Sequence, residues 1–562
     1  MHFAKHGLAF LNWPRPSAQL LKSEAFAGLS VGLMVIPQGV AYATLAGMPL
    51  ITGIYASLLP ALVAVLFSAS QRLSVGPTAL TSILIAASLN GMATPGSAEW
   101  VNLTVWLSLM TGLLQVVLGF ARFGWLLNLV SSPVLMAFTQ GAGVLIISSQ
   151  LPALLGVTKD WSTLLTGHGM DWPSLVFGVV TLGLLLLARR WRPTFPTVLV
   201  VVLGAAGLSR ALGLEASGTP VVGALPDGLP ALFVPSVIEW DMFKQLVLPT
   251  LVITLVSFLE TASSAKVDND RSGKRWDQDQ DQDLIGQGLA KIASGLCGAF
   301  PTSSSFSRSA LNLYAGAQSA WATLFSVAVI WVILLYFTSV LQPVPQSVLA
   351  AIVVVAVLGL IKPRSFVQLY KINRVEAATA VVTFVITLLS APRLYWGVLA
   401  GVVMGLSHFL HTRLHPRIIE VGLHPDGSLR DRHLWQLPPL APHLYALRMD
   451  AELDFAAAST LERTVMEHLG QHPKVAHVCL FALPINRIDA TGVESLAKLE
   501  AMLRERGISL HISGMKLPVE TVLHRAGCLQ AHAGLHLYRT DAEAIQQLRQ
   551  LEALPADMGW CI

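Results

Sequence analysis

Apolar runs of about 17 to 25 residues alternate with short polar segments up to about residue 412, and this pattern predicts transmembrane helices. Two of the runs are shorter, and each follows a segment rich in serine, glycine and proline. The fourteen predicted membrane elements lie near residues 25–45, 50–69, 77–90, 101–121, 125–149, 172–189, 195–213, 245–266, 284–299, 304–317, 320–341, 345–361, 375–392 and 395–412. Divided seven and seven, they place a short element third in each half, which is the spacing of an inverted repeat.

Two polar segments mark where the short elements begin. In residues 298–312, Pro301 and the serines after it predict a helix that begins near residue 304, and Gly76 and Pro77 give the same start signal in the first half. A helix that begins inside a membrane presents backbone N–H groups and the positive end of its dipole, which suits an anion. Two such breaks predict a substrate site in mid-bilayer. The alternative is a pair of re-entrant turns satisfied by neighbouring helices.

Composition narrows the class of protein. The chain has 562 residues, of which 53% are hydrophobic and 12% charged, and its mean hydropathy is +0.61. The charged share is about half that of an ordinary soluble domain, so we expect a polytopic protein embedded in a lipid bilayer. Four cysteines show no CxxC or Cys/His spacing, so neither a disulfide framework nor a metal site is expected. The first 22 residues lack the short apolar core of a removable signal peptide, and none is expected.

Basic residues are distributed unevenly between the two sides of the predicted membrane domain. With the N-terminus inside, the cytoplasmic segments up to Arg417 carry 18 Lys and Arg residues. The opposite side carries four, which are Lys159, Arg210, Lys244 and Arg393. This asymmetry predicts cytoplasmic N- and C-termini, and it accounts for the net charge of +4 without a nucleic-acid partner.

The pattern changes after residue 414. Residues 415–443 are rich in Pro, Asp, Arg and His and are predicted to form a linker. Beyond them, strand-like and helical patterns alternate, which predicts a soluble α/β domain over residues 444–562. A cytoplasmic segment (1–22) and a transmembrane domain (23–414) precede the linker. The predicted strands are 444–449, 475–481 and 509–513, and the predicted helices are 456–469, 492–506, 518–526 and 541–551.

Several polar groups could together bind an anion. The candidates are the side chains of Gln38, Tyr42, Ser305, Ser307 and Arg308, and the backbone N–H groups of the helix starts at 77–78 and 304–307. Pro37 and Gly39 would bend the first helix and let the amide and the phenol face a cavity. In a low-dielectric pocket such donors bind a small oxyanion through fixed dipoles, without a metal. For Gln38 alone, the alternative is a hydrogen bond between helices.

An acidic side chain lies inside the predicted membrane domain. Glu260 follows an apolar run from 246 to 259. A carboxylate within a membrane helix is costly and is therefore a functional candidate. Glu260 could be neutral in one state and ionised in another, which is what proton coupling requires. The alternative is a static ion pair, most simply with Arg308.

One low-complexity tract, Trp276-Asp-Gln-Asp-Gln-Asp-Gln-Asp283, is predicted to be a solvated cytoplasmic loop. Its alternating carboxylates do not indicate a calcium site, because the tract lacks the glycine turn and the terminal glutamate of a calcium loop.

Several motifs resemble those of one family, the sulfate permease (SulP) or SLC26 anion transporters. In chain order they are Pro37-Gln-Gly-Val-Ala-Tyr42, Gly53-Ile-Tyr-Ala-Ser57, Ser74-Val-Gly-Pro77, Leu284-Ile-Gly-Gln-Gly288 and Ser305-Phe-Ser-Arg-Ser-Ala-Leu-Asn312. The later Ile488-Asp-Ala-Thr-Gly-Val493 resembles the loop-to-helix motif of a STAS domain. The resemblance implies a polytopic α-helical membrane protein whose 14 segments form a 7+7 inverted repeat of the uracil-transporter type. It also implies a core domain, a gate domain, a cytoplasmic α/β STAS domain and a homodimer.

The resemblance further implies where the substrate and the coupling ion bind. It places a small inorganic anion between the half-helices, at Gln38, Tyr42, Thr78, Ser305, Phe306, Ser307 and Arg308. Glu260 matches the acidic position that proton-coupled members use on the eighth helix. A sodium-coupled bicarbonate branch carries aspartate there and lacks the Ser-Phe-Ser-Arg-Ser run, which favours sulfate with protons.

The STAS-like motif departs from its regulatory relatives at one position. In those relatives the residue after the motif aspartate is the phosphorylated serine, and here it is Ala490. A phosphoserine switch is therefore excluded at that position, and Thr491 is only a weak substitute. We expect the domain to serve assembly, folding or the docking of a cytoplasmic protein partner, with no enzymatic activity.

The sequence thus favours a secondary active transporter in a cell membrane, of the bacterial inner-membrane type. It is expected to take up sulfate or a similar oxyanion with protons by elevator-like alternating access, without a cofactor. The alternatives within transport are sodium-coupled bicarbonate and a proton-coupled dicarboxylate. Those from other classes are an anion channel and a membrane-anchored STAS signalling scaffold.

Overall fold

The structure is a computed structural model of the chain. It describes residues 13, 16–125, 130–157, 170–191, 197–226, 228–272, 280–305, 308–309, 312–313, 316–391, 395–529 and 534–550. The chain divides into two compact units, Met1–Gly405 and Leu406–Ile562.

The chain up to Leu414 is helical. Its helices are α1 (Ala18–Leu45), α2 (Ile51–Tyr55), α3 (Leu59–Phe67), α4 (Ala79–Leu89), α5 (Ala98–Phe120), α6 (Ser132–Leu154), α7 (Trp172–Trp191), α8 (Thr197–Ala211), α9 (Trp240–Ser272), α10 (Gln280–Leu296), α11 (Trp321–Tyr336), α12 (Gln346–Leu358), α13 (Arg364–Ile372), α14 (Arg374–Leu389) and α15 (Tyr395–Leu414). Four described stretches are long and apolar enough to cross a membrane, namely Ala18–Leu45, Ala98–Phe120, Ser132–Leu154 and Trp240–Ala262. Shorter apolar helices lie between them, and the total of fourteen membrane segments stays a prediction.

Large apolar side chains are exposed on the outside of the first unit. Phe120, Trp191, Tyr336 and Leu389 each leave 66 to 80% of their surface uncovered. Such a surface is unfavourable in water, whereas lipid tails cover it without cost. The unit therefore has the surface that a bilayer requires.

Glycines let the helices around the polar centre pack closely. A Cβ atom on Gly53 of α2 would lie 1.9 Å from the carbonyl oxygen of Gly39 in α1. One on Gly288 of α10 would lie 2.6 Å from the carbonyl oxygen of Gly112 in α5. Neither position has room for a side chain, so the backbones of α1 and α10 are held directly against their neighbours.

Two short strands join the breaks between helices. β1 (Val75–Gly76) pairs antiparallel with β2 (Ser303–Ser304), and Val75 lies opposite Ser304. All four residues are buried. Backbone groups of the two strands thus satisfy each other, which non-helical backbone at membrane depth requires.

Each strand leads into helical backbone. Thr78 is the N-cap of α4, and its Oγ1 accepts a hydrogen bond from Thr81 N at 3.3 Å. This agrees with the predicted helix start at 77–78. On the other side, the described residues Arg308 and Ser309 are helical. The predicted start near residue 304 is thus a strand, and helical backbone is described only from residue 308.

The second unit contains a mixed six-stranded sheet in the order β4-β3-β5-β6-β7-β8. The neighbours from β5 to β8 are parallel, whereas β3 runs antiparallel to β4 and β5. Apolar faces of the helices pack on the sheet, with Leu447, Leu461 and Leu503 among the core residues. The elements are β3 (Ile418–Leu423), β4 (Leu429–Asp431), β5 (Leu444–Met449), α16 (Ala458–Gln471), β6 (His477–Phe481), α17 (Ala490–Glu505), β7 (Ser509–Ser513), α18 (Leu517–Arg525), β8 (Leu535–Tyr538) and α19 (Asp541–Gln550).

Half of these strands lie where the sequence predicts them. β5, β6 and β7 fall within the predicted strands. β3 and β4 lie within residues 415–443, which the sequence assigns to a linker, and β8 was not predicted. β4 and β8 are the edge strands of the sheet, where short strands are common, so their pattern is weak, whereas β3 lies between β4 and β5.

Candidate anion-binding site

The β1–β2 pair brings the two helix breaks into contact. Ser305 N donates to Ser74 O at 3.0 Å, which extends the pairing by one residue. Ser74 N donates to Ser309 Oγ, also at 3.0 Å. The two breaks that the sequence places at corresponding positions therefore meet in space.

Arg308 reaches from one break to the other. Its side chain is fully buried, with Nη1 donating to Pro77 O at 2.9 Å and Nε to Ser74 Oγ at 3.3 Å. Among the described residues, its Nη2 has no hydrogen-bond partner. A Cβ atom on Gly76 would lie 3.3 Å from that Nη2, so glycine allows the guanidinium to lie against the strand. A buried N–H group with no partner is a donor available to an anion.

Glu260 of α9 lies at the N-terminus of α4. Its Oε2 accepts hydrogen bonds from Thr78 Oγ1 at 3.2 Å and from Thr81 Oγ1 at 3.4 Å. Thr78 therefore contacts the carboxyl group and caps the helix at once. In the described part of the chain, Glu260 and Arg308 have separate hydrogen-bond partners. The static ion pair between them, which the sequence allows, is absent from this arrangement.

The structure describes some of the other predicted site residues but not all of them. Gln38 and Tyr42 lie on α1 and are both buried, and the Oε1 of Gln38 has no hydrogen-bond partner among the described residues. Ser305 is buried next to β2. Phe306 and Ser307 lie outside the described residues.

A second polar layer lies behind β2, and the sequence analysis does not single it out. Ser303 Oγ donates to Ser257 O at 3.2 Å, and Gln287 Nε2 donates to Ser304 Oγ at 3.2 Å. Lys291, on the same helix as Gln287, is fully buried. A signal for Lys291 was present, since a lysine inside the predicted element 284–299 is a functional candidate by the same rule as Glu260.

The acidic tract is not a solvated loop where the structure describes it. α10 begins at Gln280, and Asp283 is fully buried, with Oδ2 accepting from Ser70 Oγ at 2.7 Å and Oδ1 from Ser70 N at 3.0 Å. Asp281 Oδ1 accepts from Gly124 N at 2.8 Å. The prediction is wrong for these residues, because hydroxyl and backbone donors from other segments replace water around the carboxylates. Residues 276–279 lie outside the described residues.

The donor set of the centre suits an oxyanion better than a metal ion. It combines a guanidinium, threonine and serine hydroxyls and a helix N-terminus, all of which favour negative charge. Among the described residues, no group of three or more His, Cys, Asp and Glu side chains is arranged to hold a metal ion.

The STAS-like motif in the second unit is a capped helix start. Asp489 is the N-cap of α17, with Oδ1 accepting from Gly492 N at 2.8 Å and Oδ2 from Phe455 N at 2.9 Å. Ala490 follows as the first helical residue. The carboxylate thus joins two loops, and the position after it has no hydroxyl group to modify.

Comparisons with known sequences match both units. The profile of the sulfate permease family matches residues 21–383, and that of the STAS domain matches residues 439–544. A probable sulfate transporter of Mycobacterium tuberculosis is 31% identical over 540 residues, which cover 94% of this chain and 96% of the relative. Probable sulfate transporter 4.2 of Arabidopsis thaliana is 31% identical over 539 residues, which cover 91% of this chain and 79% of the relative.

The fold is similar to that of a solved anion transporter. The structure of murine Slc26a9 in the inward-facing state matches with a TM-score of 0.87 and 20% identity, covering 98% of this chain and 95% of that chain. The fold class expected from the sequence, a helical membrane transporter with a C-terminal STAS domain, is confirmed. These relatives are multi-pass anion transporters, which agrees with the expectation of no enzymatic activity.

Proposed function

Since the chain belongs to the sulfate permease family, we propose that it is a secondary active transporter that takes up sulfate with protons by elevator-like alternating access. One observation carries the proposal, namely the hydrogen bond of 3.2 Å from Thr78 Oγ1 to Glu260 Oε2. Thr78 also caps α4, whose N-terminus lies beside the contact of Arg308 with Pro77. The carboxyl group and the anion-binding donors therefore share one residue.

In this proposal, the proton and the anion are coupled through electrostatics. An ionised Glu260 holds negative charge at the N-terminus of α4, where it interacts with the helix dipole and repels an incoming anion. A protonated Glu260 leaves that helix end and the free Nη2 of Arg308 to the anion. Proton and anion thus favour each other's binding, and by linkage the effect is reciprocal.

The identity of the substrate is supported by relatives and by chemistry. The relatives from Mycobacterium tuberculosis and Arabidopsis thaliana carry the name of sulfate transporters. A planar guanidinium and the N–H groups of a helix start are suitable donors for a tetrahedral oxyanion. The remaining members of the proposed site are Gln38, Tyr42, Ser305, Phe306 and Ser307.

The proposal extends to the setting of the protein. We place it in the cell membrane with both termini in the cytoplasm, as the distribution of basic residues indicates. We also propose a homodimer in which the core domain of each protomer moves against its gate domain. The STAS domain would then serve assembly, folding or the docking of a cytoplasmic protein.

Uptake of labelled sulfate by proteoliposomes tests the coupling. An inward proton gradient is expected to accelerate uptake by the wild type. Glu260→Gln should abolish this acceleration but retain sulfate binding, because the amide mimics the protonated carboxyl group. The matched control is Glu99→Gln, a change at an exposed carboxyl group. Gradient-driven uptake that is unchanged in Glu260→Gln would contradict the proton role.

The same vesicles separate the alternatives. Uptake that stops when choline replaces sodium indicates sodium coupling, with bicarbonate as the first substrate to test. Competition by fumarate or succinate indicates a dicarboxylate carrier. Unitary currents across a planar bilayer indicate a channel. A signalling effect that is lost on deletion after Phe409, with no substrate flux, indicates a scaffold.

A further inference from the structure

Lys291 is a buried charge to which the proposed mechanism gives no role. It lies on α10 with 0% of its surface exposed. Its Nζ donates to Gln115 Oε1 of α5 at 2.9 Å. An ammonium group has three N–H donors, and burying it within a membrane is costly unless negative charge compensates it.

The helices that pack on α10 place polar and acidic groups near Lys291. α5 provides Gln115 and also Ser108, whose Oγ donates to Lys291 O at 2.8 Å. α9 provides Glu260, whose carboxyl group accepts hydrogen bonds from Thr78 and Thr81 at the start of α4. α3, which also packs on α10, has no titratable side chain. Within the described ranges, the ion pairs of 4.0 Å or less do not include Lys291.

Hydrogen bonds connect Lys291 to the anion site. Gln115 Nε2 donates to Ser257 Oγ at 3.0 Å, and Ser257 O accepts from Ser303 of β2. On α10 itself, Gln287 lies four residues before Lys291, on the same face of the helix, and bonds Ser304. Lys291 therefore lies behind β2, one layer from the helix breaks.

We infer that Lys291 supplies the second positive charge that a divalent anion requires, and that it thereby determines the preference for divalent over monovalent anions. This inference rests on the proposed function, in which an anion binds beside Arg308 while Glu260 carries a proton. Arg308 and Lys291 then carry two positive charges. A sulfate dianion brings the sum to zero, whereas a monovalent anion leaves one positive charge uncompensated.

The uncompensated charge matters because the site is buried. Charges in a low-dielectric interior interact strongly over several ångströms, so Lys291 can act on the anion without touching it. Arg308 and the helix N-termini bind the anion directly, and Lys291 adds a second positive charge that interacts more strongly with a dianion than with a monoanion. Lys291 is thus a specificity-determining residue, and its removal should affect dianions more than monoanions of the same shape.

The test compares sulfate with perchlorate, a monovalent anion that is also tetrahedral. Proteoliposome uptake of labelled sulfate and its inhibition by perchlorate are measured for the wild type and for Lys291→Met, which removes the charge but keeps an unbranched side chain. We expect the half-saturating sulfate concentration to rise by about tenfold or more, with unchanged or stronger inhibition by perchlorate. Lys291→Arg keeps the charge and should stay within about threefold of the wild-type ratio. Lys244→Met, at an exposed lysine of α9, is the matched control.

Two results would overturn the inference. One is a wild-type ratio of sulfate to perchlorate in Lys291→Met. The other is an equal loss for both anions, which indicates a purely structural role. If thermal unfolding shows that Lys291→Met is not folded, Lys291→Gln, which can keep the hydrogen bond to Gln115, takes its place under the same criteria.

Failure of the proposed function gives a different result. Wild-type vesicles that take up no sulfate contradict the proposed function. The charge preference is then measured as the ratio of succinate to formate. A ratio that Lys291→Met does not change overturns the inference in that case.

Discussion

The two units hold their charged groups in opposite ways. In the first, Glu260, Lys291 and Arg308 are held by neutral groups, which are threonine hydroxyls, a side-chain amide and a backbone carbonyl. In the second, charged side chains meet partners of opposite sign near the surface. These pairs include Arg417–Asp431, Arg448–Asp450 and Lys498–Glu462, with N···O distances from 2.7 to 2.9 Å.

The difference indicates which charged groups can interact with a ligand. A charge that is held only by neutral groups keeps most of its field, so an anion or a proton can interact with it. A surface pair has already neutralised itself and contributes only about 0 to 1 kcal/mol to stability. We therefore expect substitutions in the first unit to change transport, and those in the second to change stability, mostly by small amounts.

The largest effect is expected from Arg308→Gln. The glutamine keeps a polar side chain but removes the buried charge and the free Nη2 donor. Loss of a charged hydrogen bond in a buried site is worth about 3 kcal/mol, or roughly a hundredfold in sulfate affinity. Sulfate binding and uptake report the change, with Arg210→Gln, at an exposed arginine, as the control. Wild-type affinity in Arg308→Gln would remove the anion site from this centre.

Lowering the pH is expected to have a smaller effect, which is a loss of stability in the second unit. Burial, together with the charges of His536 and His477, lowers the pKa of His511 to about 3. The ring is neutral in the folded unit and bonds Tyr538 Oη at 3.0 Å. Protonation therefore favours the unfolded state, so stability is complete above about pH 6.5 and is lost as the pH falls towards 3.

The expected loss from this histidine is about 1.4 kcal/mol between pH 7.5 and 5.5. Chemical unfolding of the full chain, followed by a probe in the second unit, measures it. His511→Phe should remove this part of the pH dependence, whereas His524→Phe, at an exposed histidine, should not. An equal acid loss in both variants would show that His511 is not the group responsible.

Thr78→Val should have two effects, one on stability and one on proton coupling. The loss of stability should be comparable to that caused by acid. It removes the N-cap of α4, which costs about 1 kcal/mol, and it also removes a donor to Glu260. We expect a lower unfolding temperature together with weaker stimulation of uptake by a proton gradient. Thr104→Val is the control, because the Thr104 hydroxyl is also buried but bonds Trp100 O within its own helix. Unchanged proton stimulation in Thr78→Val would separate the helix cap from the coupling.

The smallest effect is expected from Lys498→Met, which breaks the 2.8 Å pair with Glu462. The lysine side chain is 62% exposed, so water and salt screen the pair. We expect a change of about 0.5 kcal/mol or less in the free energy of unfolding. A decrease of more than about 1 kcal/mol in the free energy of unfolding would contradict the contrast drawn between the two units.

The helix start at 77–78 and the acidic position in the first unit are predictable because their signals in the sequence are local. Gly76, Pro77 and Thr78 interrupt an apolar run within a few residues, and this is enough to place a helix start. Glu260 is conspicuous for the same reason, since it follows an uninterrupted apolar run. The corresponding positions of the two breaks in the two halves of the chain predict that they form one site, but they do not predict that the breaks pair as strands.

What the sequence does not predict depends on distant partners. The burial of Asp283 requires Ser70, which is more than two hundred residues away in the chain. The role suggested for Lys291 requires Gln115 and Ser257, which lie on two other helices. β3 and β4 are strands because β5 offers an open edge, and their own residues carry little pattern.

The pairing of Val75 with Ser304 has a mechanical consequence. It joins one backbone segment from each half of the chain by hydrogen bonds. The side chain of Arg308 adds two more, to Ser74 and Pro77. Separating the two halves would break these hydrogen bonds, which join buried residues. The elevator-like movement that we propose would keep them, because both segments would move together.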